Sequence, residues 1–283
     1  MSLRLLITGA GGQLGAEVHR LAPESVALTR SELDVADRVS VRDAVAAHRP
    51  DVIVNCAAMT AVDLCETEID AAVAGNTLSC RWLAEAAEEH GARVVSLSTD
   101  YVFSGEPEGE DRPWTEWDPT GPRSVYGRTK LHGEHELRSQ DTVVRTAWLA
   151  GAGRANIVST VLRLAANGTP LTFVDDQFGS PTFVEDLAPL LLRLAEDGVT
   201  GVVHGVNQGS TDWFRWIRTI LTAAGYDPEL VSPVSTAELD PPRPAPRPRY
   251  SVLDDTVLRS LDLRLPHHED SLQRLVSDFV AGL

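Results

Sequence analysis

A tyrosine and a lysine four residues apart, Tyr126 and Lys130 in VYGRTKLHGE, carry the clearest acid–base chemistry in this chain. The lysine is the only one among 25 basic residues, and the rest are arginine. A free phenol titrates near pH ~10 and is a reluctant proton donor at neutrality. An ammonium beside it, together with an oxidised nicotinamide, favours phenolate and lowers that pKa. Lysine suits the position because its charge is compact and its three donors rotate, leaving some to hold ribose hydroxyls. A guanidinium is a wide planar fork that would displace a cofactor. With four tyrosines in 283 positions, an accidental pairing is a poor account of the spacing.

Two further stretches fit the same chemistry. SLSTDYVFSG places hydroxyls, Ser98 and Thr99, at the end of a strand pattern, where one of them can face a carbonyl oxygen beside Tyr126. A Ser or Thr at a strand end is, taken alone, most often structural. LLITGAGGQLG sets Gly9, Gly12 and Gly15 three apart, after a strand and at the start of a helix. Such glycines let the backbone approach a pyrophosphate seated on free helix N–H groups. The spacing is TGxxGxxG, and its competing reading is a tight turn only. Arg30, where the second strand ends, suits a 2′-phosphate and leans toward NADP, against the reading of a solvated surface arginine. Asp34 and Val35 are placed to bracket an adenine, and Asn55 to Ala58 to pass close to a ribose.

The elements that must position these residues alternate along the first half. Leu3–Ile7, Val26–Thr29, Val52–Asn55, Val94–Ser98 and Val143–Arg145 are short apolar runs of the buried parallel-strand kind. Helical stretches at Gln13–Leu21, Val39–His48, Ala71–His90 and Ser124–Leu137 lie between them. The fold expected is α/β, a Rossmann-type doubly wound parallel sheet with a smaller C-terminal α/β substrate lobe. Residues 1–150 form the dinucleotide-binding domain and 151–283 the substrate lobe, with Val202–Val206 returning to the first sheet. Helices at Asn156–Ala166, Phe183–Glu196, Asp212–Ala224 and Glu269–Val280, and a strand at Leu171–Val174, fill the second part. PPRPAPRP, Pro241 to Pro248, must be an extended connection.

Composition removes other classes. The formal charge is −16, which disfavours nucleic acid and anionic membranes as partners. No run of 18 apolar residues offers a membrane span. Three cysteines without a CxxC pair argue against a disulfide framework and for a reducing cytoplasm. His132 and His135 sit on the same helical pattern as acids, but nothing matches a metal motif, so a solvated face is expected and no metal. Asp175 and Asp176 are neighbours on a strand end that point apart, which suits loop hydrogen bonding better than glycoside chemistry. Trp114 and Trp117 either cap a crevice or pack, and Trp213 and Trp216 belong to the core of the second lobe.

The chain resembles the extended short-chain dehydrogenase/reductases and, within them, the dTDP-4-dehydrorhamnose reductase family. The resemblance rests on TGAGGQLG, LDVAD, NCAAMTAVD, STDYVF, YGRTK with LHGE, RTAWL, VDDQFGSPT and RPRYSVLD, which run in family order from residue 8 to residue 254. It implies Tyr126 as proton donor, Lys130 as its partner and Thr99 as the hydroxyl that tunes it. Asp100 and Trp148 match positions near the nucleotide sugar, alongside Thr99. Gly12, Gln13, Leu14, Asp34, Val35, Ala57, Ala58 and Met59 fall where the family holds its dinucleotide, expected here to be NADPH with NADH as the alternative. The expected reaction is reduction of the C4 ketone of a dTDP-4-keto-6-deoxyhexose, with dTDP-L-rhamnose as the product, by a monomer or weak homodimer. The rivals are a 4-ketoreductase for another deoxysugar, an epimerase or dehydratase of the same superfamily, and a non-catalytic dinucleotide-binding regulatory subunit. A dehydratase would carry an Asp-Glu pair where Thr99 and Asp100 stand.

Overall fold

The computed structural model describes residues 3–107, 109–153 and 155–281. Its first half runs β1 (Leu5–Thr8), α1 (Gln13–Leu21), β2 (Val26–Leu28), α2 (Arg38–His48) and β3 (Val52–Asn55). Two short helices follow, α3 (Val62–Cys65) and α4 (Ile69–Val73). A π-helical turn at Ala74–Leu78 leads into α5 (Ser79–His90). The half closes with β4 (Arg93–Thr99), α6 (Val125–His135) and β5 (Thr142–Thr146).

All sheet pairings among β1 to β5 are parallel, in the spatial order β5–β4–β3–β1–β2. The strand Gly201–His204 lies beside β5 as the sixth member, also parallel. The chain leaves β1 for β2 on one side and returns to β3 on the other. That reversal opens a crevice at the C-terminal ends of the strands, where α/β sheets bind ligands.

Period-two alternation decides which residues face which layer. Ile7, Val52, Val54, Val95, Val144 and Val203 pack under α1 and the helix Val184–Asp197. Leu6, Ile53 and Val94 turn the other way, against Val41 and Val45 of α2 and Leu83 and Ala87 of α5. A separate apolar cluster forms beyond residue 150 around Trp216, Ile217, Ile220 and Leu221 of the helix Trp213–Ala223, with Val158 and Leu162 of the helix Ile157–Ala166.

Boundaries follow local chemistry. Asp37 caps α2 by accepting from the Val39 N–H at 2.9 Å, and Gly91 ends α5 in the left-handed region at φ 69°. Ser124 caps α6 by accepting from the Gly127 N–H at 3.1 Å. One expectation is corrected: Ala71–His90 is not an unbroken helix, because the π turn interrupts it. The cause is Asn76. Its buried side chain accepts from Met59 N at 2.8 Å and donates to Met59 O and to Thr129 Oγ1, both at 3.1 Å. Inserted π turns of this kind tend to stand at functional sites.

Candidate active site

At the C-terminal ends of β1, β3, β4 and β5 lies a cleft of about 840 Å³, a volume typical of small-molecule sites. Gly12, Gln13, Leu14 and Gly15 form one wall. Ala58, Thr99, Asp100, Tyr126, Lys130 and Trp148 form the rest of its expected lining. Gly9, Arg30, Asp34, Val35, Ala57 and Met59 stand outside that lining. Val35 and Ala57 belong to the apolar layer under α2 and α5. Asp34 accepts from the Ala36 N–H in its own loop at 3.1 Å. Met59 is held by Asn76 and packs near Tyr126. Arg30 is exposed and, among the described residues, has neither hydrogen bond nor ion pair.

The glycine turn works by close approach. Gly9 is left-handed at φ 67°, and a Cβ there would come within 2.7 Å of Ala57 N. A Cβ on Gly15 would meet Gly9 O at 2.5 Å, so bare glycines let α1 sit down on β1 and β3. Gly12 is the N-cap of α1 and offers no capping side chain, and no acid occupies the first turn. The helix start is therefore left open to an anion. Two buried polar atoms along this cleft have no partner, Gln13 Oε1 and Thr146 Oγ1. An unpartnered buried polar group is costly, and a bound dinucleotide with polar edges suits both.

Tyr126, Lys130 and Thr99 converge as their spacing suggests. Lys130 is buried, and its Nζ donates to the Leu97 carbonyl oxygen at 2.7 Å. Burial pulls its pKa down, against the opposing pull of Cys80, Glu134 and Cys56. Burial likewise pushes the Tyr126 phenol up; the neighbouring Thr99 hydroxyl pulls the other way, and Asp100 and Cys65 add to the rise. The Lys130 ammonium, for its part, is directed to a backbone carbonyl. Asp100 is pushed up to about 6, first by burial, with hydrogen bonds from Ser251 and Thr99 pulling the other way. Cys56, also in the cleft, is pushed up to about 12 by burial, so it stays a thiol.

Neighbouring side chains lock this set. Ser98 donates to Glu134 Oε1, and Glu134 pairs with Arg145 at 2.7 Å with both side chains buried. This ties α6 to β4 and β5. Tyr101 meets Tyr126 edge-on with ring centres 5.6 Å apart. Asp63 of α3 holds Arg247 of the C-terminal segment through two bonds at 2.5 and 2.7 Å. Trp148 is left-handed at φ 46° and stacks on Trp213 at 3.9 Å, with Gly179 pressed against its indole.

Other candidates fall away from the cleft. His132 and His135 are exposed, and no metal-binding group occurs among the described residues. Asp176 accepts from the Thr236 N–H and hydroxyl at 2.8 and 2.6 Å, a loop bond. Trp114 is buried against Phe103 at 4.8 Å, and Trp117 is exposed.

A doubly wound parallel sheet, an open helix start after a glycine turn and a Thr–Tyr–Lys set with buried Thr99 and Lys130 and half-buried Tyr126 occur together at one cleft. Residues 3–281 match the family model described as the RmlD substrate binding domain. The chain belongs to that family. It is 44% identical over 278 residues to a dTDP-4-dehydrorhamnose reductase of Streptomyces griseus, covering 94% of this chain and 90% of that one. It is 43% identical over 260 residues to a probable dTDP-4,6-dihydroxy-2-methyloxan-3-one 4-ketoreductase of Streptomyces antibioticus, covering 89% and 86%. The structure of a Bacillus anthracis dTDP-4-dehydrorhamnose reductase in complex with NADP superposes with TM-score 0.91 at 36% identity, covering 98% of this chain and 100% of that one.

Motif reading passes over Thr146, which lines the cleft, Ser251, which bonds Asp100, and Asn76, which ties the loop after β3 to α6. Asn76 leaves a faint signal, a Gly-Asn pair inside a helical pattern, since both residues disfavour helix interiors. Thr146 and Ser251 sit in RTAWL and RPRYSVLD and gain their meaning only from what they face.

Proposed function

We propose that this protein reduces the C4 ketone of dTDP-4-dehydrorhamnose with NADPH, giving dTDP-L-rhamnose. The observation that carries the reading is the single cleft that joins the open start of α1 to the Thr99–Tyr126–Lys130 set. When bound, NADPH supplies the hydride. Tyr126 gives the proton: burial keeps its phenol protonated at neutral pH, so it holds a proton ready for the oxygen as charge develops there. Thr99 stabilises the phenolate left behind. Lys130 spends one donor on Leu97 O and keeps two for ribose hydroxyls. Arg30, exposed and unpaired at the end of β2, is free for a 2′-phosphate. Gln13 and Leu14 hold the pyrophosphate with Gly12, and Asp34, Val35, Ala57, Ala58 and Met59 border the adenosine. Asp100 and Trp148 flank the sugar.

In this reading residues 1–150 form the dinucleotide lobe, joined by the strand Gly201–His204, and 151–283 form the substrate lobe. The protein works as a monomer or weak homodimer in a reducing cytoplasm, which its three free cysteines suit. No helix among the described residues is long and apolar enough to cross a membrane. A second reading, reduction of another dTDP-4-keto-deoxysugar, draws on the similarity to the 4-ketoreductase of Streptomyces antibioticus.

The test follows NADPH absorbance with dTDP-4-keto-6-deoxy-L-lyxo-hexulose or its D-xylo epimer and identifies the product by NMR. Sugar-dependent consumption with the L-lyxo substrate and formation of dTDP-L-rhamnose are expected. Tyr126→Phe should lower kcat at least ~100-fold, the scale of general acid catalysis. Turnover of the D-xylo sugar alone would favour the second reading, and turnover of neither would refute both.

A further inference from the structure

Asp100 is 2% exposed, and hydroxyl donors occupy both of its carboxylate oxygens. Thr99 Oγ1 donates to Oδ1 at 3.0 Å, and Ser251 Oγ donates to Oδ2 at 2.6 Å. Ser251 comes from the far end of the chain, 151 residues after Asp100, and is itself 2% exposed. Its N–H donates to the Phe178 carbonyl at 2.8 Å, which fixes the segment against the cleft wall. Its hydroxyl has one proton, and Asp100 at 2.6 Å outcompetes the Phe178 carbonyl at 3.3 Å for it.

Thr99 also has a single hydroxyl proton. Thr99 and Tyr126 line the same cleft, and while that proton points at Asp100 the Thr99 hydroxyl has only lone pairs to offer the phenol. Once the phenol has given its proton away, the phenolate gains a hydrogen bond only if the Thr99 proton turns toward it. The turn removes one of the two hydroxyl donors from a buried carboxylate. A carboxylate left with only the backbone N–H groups of Asp100 and Tyr101 would resist it, because an under-satisfied buried charge is expensive. Ser251 is the hydroxyl that stays.

We propose that Ser251 is a positioning residue for proton transfer, acting through Asp100 to free the Thr99 hydroxyl proton for the Tyr126 phenolate. The proposal rests on the reductase reading. In the step concerned the Tyr126 O–H bond breaks and a bond from that proton to the substrate's C4 oxygen forms, while the carbonyl carbon takes its hydride from NADPH. The Thr99 O–H bond only rotates. The phenolate recovers its proton from solvent after product leaves.

The test is a double-variant cycle on the full chain, assayed with NADPH and the L-lyxo keto sugar. Ser251→Ala should lower kcat about ten-fold, within the reach of one hydrogen bond to a charged group, and move either KM less than about three-fold. Asp100→Asn removes the charge that Ser251 serves. In that background Ser251→Ala should cost no further activity, because a residue acting only through Asp100 has nothing left to act on. Ser251→Cys, close in size and a weaker donor, should fall between serine and alanine, and it carries the same cycle if the alanine variant does not fold. Wild-type kcat in both Ser251 variants would overturn the proposal. Independent, multiplying losses in the double variant would overturn it too, marking Ser251 as a packing residue. A wild-type protein without turnover would instead count against the reductase reading.

Discussion

Lys130 is the only lysine in the chain, and its surroundings explain why arginine does not replace it. It is 4% exposed, and its ammonium reaches one backbone carbonyl near the end of β4, at the wall of the cleft. A guanidinium is planar and longer, so it would push either α6 or the β4 terminus aside. Lys130→Arg keeps the charge and should still lose at least ~100-fold in kcat, because a small misplacement of a reacting centre costs that much. NADPH affinity, read by fluorescence titration, should fall in parallel. A variant within a few-fold of the parent would show that charge alone is sufficient. The Tyr–Lys spacing and Thr99 were legible from sequence because i and i+4 on a helix share a face and strand ends face the crevice. What sequence reading did not supply was the division of labour. It named the ammonium and Thr99 as influences on the phenol, and burial, the largest influence, depends on packing that the motifs do not spell out.

At the scale of elements, the site depends on two buried polar joints. Asn76 ties the loop after β3 to α6 across 17 and 53 residues of sequence. Strand and helix patterns were readable because apolar periodicity is local. The π turn was not, because it arises from side-chain bonds to residues far along the chain. The second joint is Glu134 with Arg145 and Ser98, which holds α6 on β4 and β5. Glu134→Ala would leave Arg145 charged and without its partner under the Phe103 ring. Such a loss should destabilise the fold by roughly 3–5 kcal/mol, seen as a lower denaturant midpoint. A change below ~1 kcal/mol would mean that water reaches Arg145 once the carboxylate is gone.

For the whole molecule, buried histidines set the response to acid. His204 is held down to about 3, first by burial and then by Arg145, and His268 to about 4, first by burial. Between these values and the ordinary histidine range the unfolded chain binds protons that the native state refuses, so stability falls as pH drops. Asp100, pushed up to about 6, acts in the opposite direction between about 6 and the usual carboxylate range. Glu116 is also raised by burial, but the carboxylates held low by arginines, Asp63 and Asp118 among them, add to the two histidines and outweigh both acids. Unfolding free energy from denaturant titrations should therefore decrease from pH ~6 to pH ~4. His204→Gln should flatten that slope by about 1.4 kcal/mol per pH unit, the value of one proton. An unchanged slope would mean that His204 takes up its proton in the folded state.

The order in which the chain is made gives the sheet topology a further meaning. The sixth strand, Gly201–His204, covers β5, and the partners of Asp63 and Asp100, Arg247 and Ser251, lie 184 and 151 residues downstream of them. A nascent chain reaching only the middle of the protein therefore holds a sheet with an unpaired inner edge, the kind of edge that invites pairing with other chains. Its tyrosine and lysine are already present, but the groups that hold Asp100 and α3 have not yet been synthesised. Premature termination anywhere before residue 251 thus leaves Asp100 without its Ser251 hydrogen bond, and one before residue 201 also leaves β5 without its outer strand.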